Sequence, residues 1–179
     1  LAALARDNVA LNRLDGRVHV IAADLLARPA ALAELGLAAH SFDHVLANPP
    51  YHDAAGGTPA HNRMKADAHA MAAGDLDRWV RTLARLTAAG GTATLIHKAE
   101  ALGSVLAGLQ RRFGGLRVMP IQARSATPAI RILIQGTRGS RAPLTLLPAL
   151  VLHGSEGHGF TPGAEAILKR GAVLTLGDR

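Results

Sequence analysis

Cysteine is absent from the 179 residues, which excludes disulfides and thiolate metal sites and makes the reducing cytoplasm the expected location. No apolar run approaches the roughly 18 residues that span a bilayer, because Arg, Asp, Gly or Pro interrupts each one. A soluble protein without a membrane partner is expected. The opening Leu1–Leu14 has neither the charged and apolar regions of a secretory leader nor an initiator methionine, and it reads as the middle of a folded protein. The expectation is a fragment of a longer chain. Acidic residues are missing between Ala101 and Ser155, a window that holds Arg111, Arg112, Arg117, Arg124, Arg131, Arg138 and Arg141.

What is present fits one hydrophobic core. Apolar residues make up 49% of the chain, enough for a single domain over 1–179, read as a partial core at 1–141 with a C-terminal extension at 142–179. The net charge is +7, and Lys65, Lys98 and Lys169 are the only lysines beside a large excess of arginine. A one-sided basic surface is the footprint of a polyanion binder, because each Arg that neutralises a phosphate releases a counterion. GC-rich coding is the competing explanation for so many arginines.

Leu1, Leu4, Val9 and Leu11 predict a helix stopped near Leu14-Asp15-Gly16. The β-branched run Val18–Ala22 predicts a strand leading to the polar Asp24. A helical turn from Pro29 to Leu35 precedes a second strand over Phe42–Ala47. Asn48-Pro49-Pro50 stops that strand, since proline restricts both its own φ and the residue before it. From His52 to Gly74 the composition predicts a long loop, of a length that is usually functional in a compact domain. Asp75 then caps a helix with the apolar face Leu76, Trp79, Val80, Leu83 and Leu86, closed by Gly90 and Gly91. Thr92–His97 predicts a third strand, Leu102–Phe113 a helix, and Leu116–Ile121 with Ile130–Ile134 a closing antiparallel pair. Leu146–Leu152 predicts a further strand. Thr161-Pro162 supplies the N-cap and first position of a last helix ending at Gly171. The order is that of an α/β, Rossmann-like sheet with helices on both faces, lacking its first strand.

Ligands of open α/β sheets bind outside the carboxyl ends of the strands, which is where Val45-Leu46-Ala47-Asn48-Pro49-Pro50-Tyr51 falls. The residue types suit one task. An exocyclic amine of adenine is a poor nucleophile because its lone pair is delocalised into the ring, and two acceptors on its N–H groups favour a pyramidal nitrogen. The Asn48 side-chain oxygen and the Pro49 carbonyl can supply them, proline stiffness fixes the carbonyl, and Tyr51 offers a flat face for stacking. Asn-Pro-Pro is also a common strand terminator; the preceding apolar strand and the following aromatic separate the two readings.

On Asn48-Pro-Pro-Tyr51, Gly90-Gly91-Thr92 with Leu95-Ile96-His97, Arg131-Ile132-Leu133-Ile134 and Val151-Leu152-His153-Gly154, the chain resembles the amino-group class I S-adenosylmethionine-dependent methyltransferases. Within them it is most similar to the bacterial adenine-N6 methyltransferases acting on valine tRNA, from Leu1 to about Gly171. The resemblance implies N6 methylation of adenine in RNA, with tRNA as the partner and S-adenosylmethionine as the cofactor. It implies catalytic roles for Asn48, Pro49, Pro50 and Tyr51, and cofactor contacts from Asp24, the Leu25 backbone and Asn48. Asp24 would accept from the adenine amine of the cofactor; capping a helix is its other reading. The family's Gly-rich loop and ribose-binding acid belong upstream of the first helix, and no G-x-G-x-x-G occurs among the 19 glycines. Weak or absent cofactor binding by the fragment is therefore expected, even where the intact protein is active.

Lys98, at a strand end, is a candidate phosphate contact. Arg111, Arg112, Arg124 and Arg131 are the other candidate nucleic-acid contacts, with Arg124 best placed because Ser125 and Thr127 share its turn. Of the histidines, His40 and His44 straddle an element boundary while His52, His61 and His69 lie in a loop, so no metal site is expected. Ser155 fails the G-x-S-x-G spacing of a hydrolase nucleophile, and Trp79 reads as core. Two alternatives stand beside the favoured reading. One is a protein glutamine N5-methyltransferase of the release-factor type, whose amide nitrogen poses the same chemical problem. The other is a non-catalytic nucleic-acid-binding remnant. The sequence leaves the oligomeric state open.

Overall fold

The structure, a computed structural model, describes residues 1–49, 52–53, 70–71 and 75–176. It divides into two units, Leu1–Ala39 and His40–Arg179, each taken by itself. The first holds α1 (Ala2–Leu11), which ends before Asn12, and α2 (Pro29–Glu34), which begins with the proline suited to a first turn and buries Leu32. Val18–Ala22, expected as a strand, is not one. It has no ladder partner among the described residues, Val18 and Ile21 are each 41% exposed, and β-branching without a neighbouring strand supplies no hydrogen-bonded pairing.

The second unit is built on a six-stranded mixed sheet. Its strands are β1 (Phe42–Ala47), β4 (Thr87–Lys98), β5 (Phe113–Gln122), β6 (Ala129–Arg138), β7 (Thr145–Leu146) and β8 (Leu150–Val151). The order is β1-β4-β6-β5-β7, with β8 also on β5. β1 and β4 are parallel, β6 is antiparallel to both β4 and β5, and β7 and β8 run parallel to β5. The expected α/β sheet with a closing antiparallel pair is therefore present. A separate parallel pair joins β2 (His52–Asp53) to β3 (Ala70–Met71), within the long loop expected there. The rest of that loop lies outside the described residues.

Helices α3 (Asp75–Leu86) and α4 (Leu102–Gln110), the latter entered through a 3-10 turn at Ala99–Ala101, cover one face. Val80 and Leu83 are spaced by three residues and Val105 and Leu109 by four, so each pair shares a helix face. These four pack on Ala93, Leu95, Phe113, Leu116, Val118, Ile132 and Ile134 in one core. Burial of such a side chain stabilises by about 1.5–3 kcal/mol.

Three boundaries differ from the sequence expectation. Gly90 and Gly91 do not close α3, which ends at Leu86 and passes directly into β4 at Thr87; the Thr87 hydroxyl donates to Leu83 O at 2.7 Å. The glycines instead serve an irregularity in β4, where the register against β1 shifts between Phe42↔Thr87 and His44↔Thr92. Gly91 passes so near β1 that a Cβ there would lie 2.6 Å from Asp43 O. Phe113 starts β5 instead of ending α4, its helical spacing from Leu109 being a coincidence of two core faces. The run Leu146–Leu152 is split between β7 and β8, with Pro148, which has no N–H for a ladder, in the gap.

The last helix, α5 (Pro162–Arg170), matches its sequence signals closely. Thr161 Oγ1 accepts from Ala164 N at 3.2 Å, and Gly171 closes the helix at φ +68.

Candidate functional site

Strands β1, β4 and β5 all run in one direction, since β4 is parallel to β1 and both β4 and β5 are antiparallel to β6. Their carboxyl ends therefore form one rim. On it lie Asn48 after β1, Lys98 at the end of β4, Arg131 near the start of β6, and Arg124 just beyond β5. This is the edge of an open sheet where ligands are expected.

Asn48 is exposed while the Pro49 side chain is fully buried. Burial anchors the chain immediately after the strand, and the ring fixes φ, so the amide of Asn48 is presented from a stiff support. Pro50 and Tyr51, the other two residues of the motif, lie outside the described residues.

Lys98 and Arg131 are direct partners in the β4–β6 ladder. Lys98 Nζ is 3.3 Å from Glu100 Oε1, and Arg131 Nη1 donates to Ile130 O at 2.9 Å. Between the core and these cations sits His97, 5% exposed and in register with Ile132. Burial holds its imidazole below the ordinary histidine value. A backbone hydrogen bond at Lys98 and the Glu100 charge oppose that shift, while the Lys98 and Arg131 charges reinforce it. In the sequence His97 closes the Leu95-Ile96-His97 segment, and a histidine ending a buried strand is the one local signal of its position.

Arg124 has a different environment from the one its turn position implied. Its Nη1 donates to Gly154 O and its Nη2 to Gly157 O, each at 2.5 Å. Its turn is fixed by its backbone N–H donating to Thr127 Oγ1 at 3.3 Å and by Gln122 Nε2 donating to Thr127 O at 2.8 Å.

Arg111 and Arg112 are placed elsewhere. They precede β5, so the 10 residues of that strand separate them from the rim by about 30 Å at roughly 3.3 Å per residue. Arg112 finds its carboxylate outside the acid-free window: its Nη1 lies 2.9 Å from Asp77 Oδ1 of α3 and donates to Gly108 O at 2.9 Å. Arg138 likewise turns inward, donating to the carbonyls of Ala84 and Thr87.

In the first unit Asp24 is exposed, and its Oδ1 accepts from Leu26 N at 2.9 Å while its carbonyl accepts from Ala27 N at 3.0 Å. The carboxylate thus closes a tight turn at Leu25 and remains open to solvent, a chemistry that fits an amine donor such as the adenine of S-adenosylmethionine. Among the described residues no group of three or more His, Cys, Asp or Glu is arranged to hold a metal ion, and no helix is long and apolar enough to cross a membrane.

No family model and no curated protein matches the sequence. Among solved structures, a predicted O-methyltransferase from Agrobacterium tumefaciens is 30% identical over 93% of this chain and 71% of its own, with a TM-score of 0.73. A candidate DNA modification methylase from Thermus thermophilus is 16% identical over 65% of this chain and 55% of its own, and its TM-score of 0.40 is too low to carry an argument. The extent and identity of the first match, on a Rossmann-like α/β sheet, place this chain in the same family, and the protein is a methyltransferase.

Proposed function

We propose that the protein methylates adenine N6 in RNA, with tRNA as the substrate and S-adenosylmethionine as the methyl donor. The observation that carries this reading is the exposed Asn48 set on a buried Pro49 at the carboxyl end of β1. An amide oxygen and a neighbouring carbonyl held on a stiff support suit the two N–H groups of an exocyclic amine. They localise its lone pair as the nitrogen attacks, which is the kind of oriented dipole that stabilises a transition state. When bound, S-adenosylmethionine supplies an electrophilic methyl group on a sulfonium. Asn48 would face the transferred methyl group; in the first unit, taken by itself, Asp24 and the Leu25 backbone are the residues the resemblance gives as cofactor contacts.

The substrate class rests on the rim. Lys98 and Arg131 stand side by side two strands or fewer from β1, and paired cations at that position suit the phosphates of a polynucleotide better than a protein loop. By the motif, proline stiffness at Pro49-Pro50 would hold the Pro49 carbonyl in a fixed direction, and Tyr51 would offer a flat face on which the flipped base stacks.

The test is methyl transfer from labelled S-adenosylmethionine to total tRNA and, in parallel, to release factor, followed by digestion and identification of the modified group. N6-methyladenosine in the RNA digest is the expected product. Label in N5-methylglutamine would move the substrate to protein, and label on an oxygen would replace the amine chemistry by that named for the Agrobacterium relative. Binding of tRNA with no transfer to any acceptor would leave a nucleic-acid-binding protein.

A further inference from the structure

Arg124 spends both arms of its guanidinium on one short loop. The donors Nη1 and Nη2 reach Gly154 O and Gly157 O, two carbonyls that nothing in the local sequence marks as a pair. The loop is closed at its base by a bridge between His153 and Phe160, whose rings stack at 5.1 Å with an interplanar angle of 17°. Lys169 Nζ lies 5.8 Å from the Phe160 ring centroid. The base is tied to the end of β5 by Leu152 N donating to Gln122 O and His153 N donating to Ala123 O, both at 2.9 Å. What projects from this anchored base is exposed: Ser155, Glu156, Gly157, His158 and Gly159, with Phe160 38% exposed beside them.

The position of the loop gives it a use. It leaves β8, on the far edge of β5, at the end of the rim opposite Asn48 after β1, four strand spacings away, or about 19 Å at roughly 4.8 Å per spacing. Lys98 and Arg131 lie on two of the three strands between. A stacked strand rising about 3.4 Å per nucleotide would cover that distance in about six. We propose that the loop between His153 and Phe160 docks the RNA segment flanking the target adenine, and that Arg124 is a positioning residue that holds this loop instead of a phosphate contact.

This inference rests on the RNA reading of the site. The chemistry of the loop is that of base recognition: Ser155, Glu156 and His158 offer donors and acceptors, and the Phe160 ring, stacked on His153 and 38% exposed, offers its remaining exposed surface beside the Lys169 cation. The negative charge of Glu156 disfavours phosphate at the loop tip. The phosphates then belong with Lys98 and Arg131, nearer the strand ends.

The division of labour has a measurable signature. A phosphate contact changes the salt dependence of binding by about one unit per cation lost, whereas a loop support changes affinity at every salt concentration alike. Total tRNA is titrated against the wild-type protein and the variants Arg124→Gln, Arg124→Lys and Phe160→Ala at several salt concentrations, with thermal melts alongside. Phe160→Ala is expected to weaken binding by about five- to a hundredfold, the range for one lost stacked base. Arg124→Gln should weaken it comparably with an unchanged salt slope. Arg124→Lys should not restore it, because a single ammonium cannot reproduce the planar fork that reaches two carbonyls.

A slope reduced by about one unit in Arg124→Gln and recovered in Arg124→Lys would make Arg124 a phosphate ligand and overturn the proposal. Wild-type affinity in both Arg124→Gln and Phe160→Ala would remove the loop from the interface. If Arg124→Gln does not fold, Phe160→Ala decides alone, since its ring is partly exposed and lies outside the main core. Failure of the wild-type protein to bind tRNA, with methylation of release factor, would refute the RNA reading itself and is recognised before any variant is made.

Discussion

Lys98 and Arg131 face each other directly across the β4–β6 ladder, two cations at a register position where opposite charges or apolar residues would stabilise the sheet. Glu100 lies near Lys98 at 3.3 Å, with 76% of its own side-chain surface exposed, so its compensation is screened by solvent. A like-charge pair kept at the rim of the candidate site is what a surface prepared for an anion looks like.

Replacing Arg131 should therefore separate folding from binding. Arg131→Gln relieves the repulsion and is expected to leave the melting temperature unchanged or slightly raised, within about 0.5 kcal/mol of wild type. The same variant should bind tRNA more weakly and with a salt slope flatter by about one unit. Arg111→Gln, at the other end of β5, should change neither. Binding isotherms at graded salt, with melts of each variant, check all three expectations, and a slope change at Arg111 would move the RNA path to the opposite edge of the sheet.

Gly136 gives a prediction about the core. It pairs with Ala93 in the β4–β6 ladder, and a Cβ there would fall 2.5 Å from Leu116 Cδ2 and 2.7 Å from Phe113 Cβ. Gly136→Ala should destabilise by about 1–3 kcal/mol through overpacking, seen as a lower melting temperature of about 2–4 °C per kcal/mol. Gly103→Ala, where a Cβ meets nothing within 4 Å, is the control and should not destabilise. Equal melting temperatures for the two would mean that Leu116 and Phe113 give way freely.

Elements with a strong local cause were legible in the sequence. The stop at Asn48-Pro49 and the Thr161-Pro162 to Gly171 helix depend on φ restrictions and capping groups within a few residues, and both are where they were expected. Val18–Ala22 failed because a strand is a relation between segments, and composition cannot show that a partner is present. Gly90 and Gly91 look like a helix stop in the sequence because a register shift against β1 leaves no trace in β4 alone. At the site, the strand-end position of Asn48 followed from its own neighbours. That Arg124 would turn to the carbonyls of Gly154 and Gly157, about thirty residues on, had no signal, since a backbone acceptor carries no residue identity.

Asp24 can be tested with an isosteric change. Its Oδ1 accepts from Leu26 N, a bond that an asparagine oxygen can also make, so Asp24→Asn should preserve the turn and the melting temperature. The charge offered to an adenine amine is lost, and S-adenosylmethionine binding by calorimetric titration should weaken by about tenfold, the difference between a charge-assisted and a neutral hydrogen bond. Asp24→Ala should lose both the turn and the affinity. Unchanged affinity in Asp24→Asn would return this residue to a capping role.

The depressed pKa of His97 predicts a pH dependence of stability. Its value is lowered in the folded state chiefly by burial, so below the ordinary histidine pKa of about 6.5 the unfolded chain binds more protons at this position than the folded one. The contribution is fully present above that pH and is lost as pH falls toward the folded value. Stability of the wild type by denaturant titration should therefore decline below about pH 6.5 more steeply than that of His97→Gln. Parallel declines would show that other groups, not His97, bind the protons.

The strongest test of the catalytic reading is Asn48→Ala beside Asn48→Asp. Asn48 is exposed and Pro49 supplies the buried anchor, so neither change should cost more than about 0.5 kcal/mol of stability. Removing one oriented acceptor from a transition state typically slows the reaction by about 100-fold or more, and Asn48→Ala should show that loss in kcat with a smaller change in KM for tRNA, because the group acts on the reacting nitrogen and not on the bulk of the substrate. Asn48→Asp keeps an acceptor oxygen and should retain more activity than Asn48→Ala if acceptance from the amine is the function of the side chain. The measurement is initial rate of methyl transfer at saturating and limiting tRNA for the three proteins. A rate for Asn48→Ala near that of the wild type would remove the residue from the chemistry, and a loss confined to KM would reassign it to substrate binding alone.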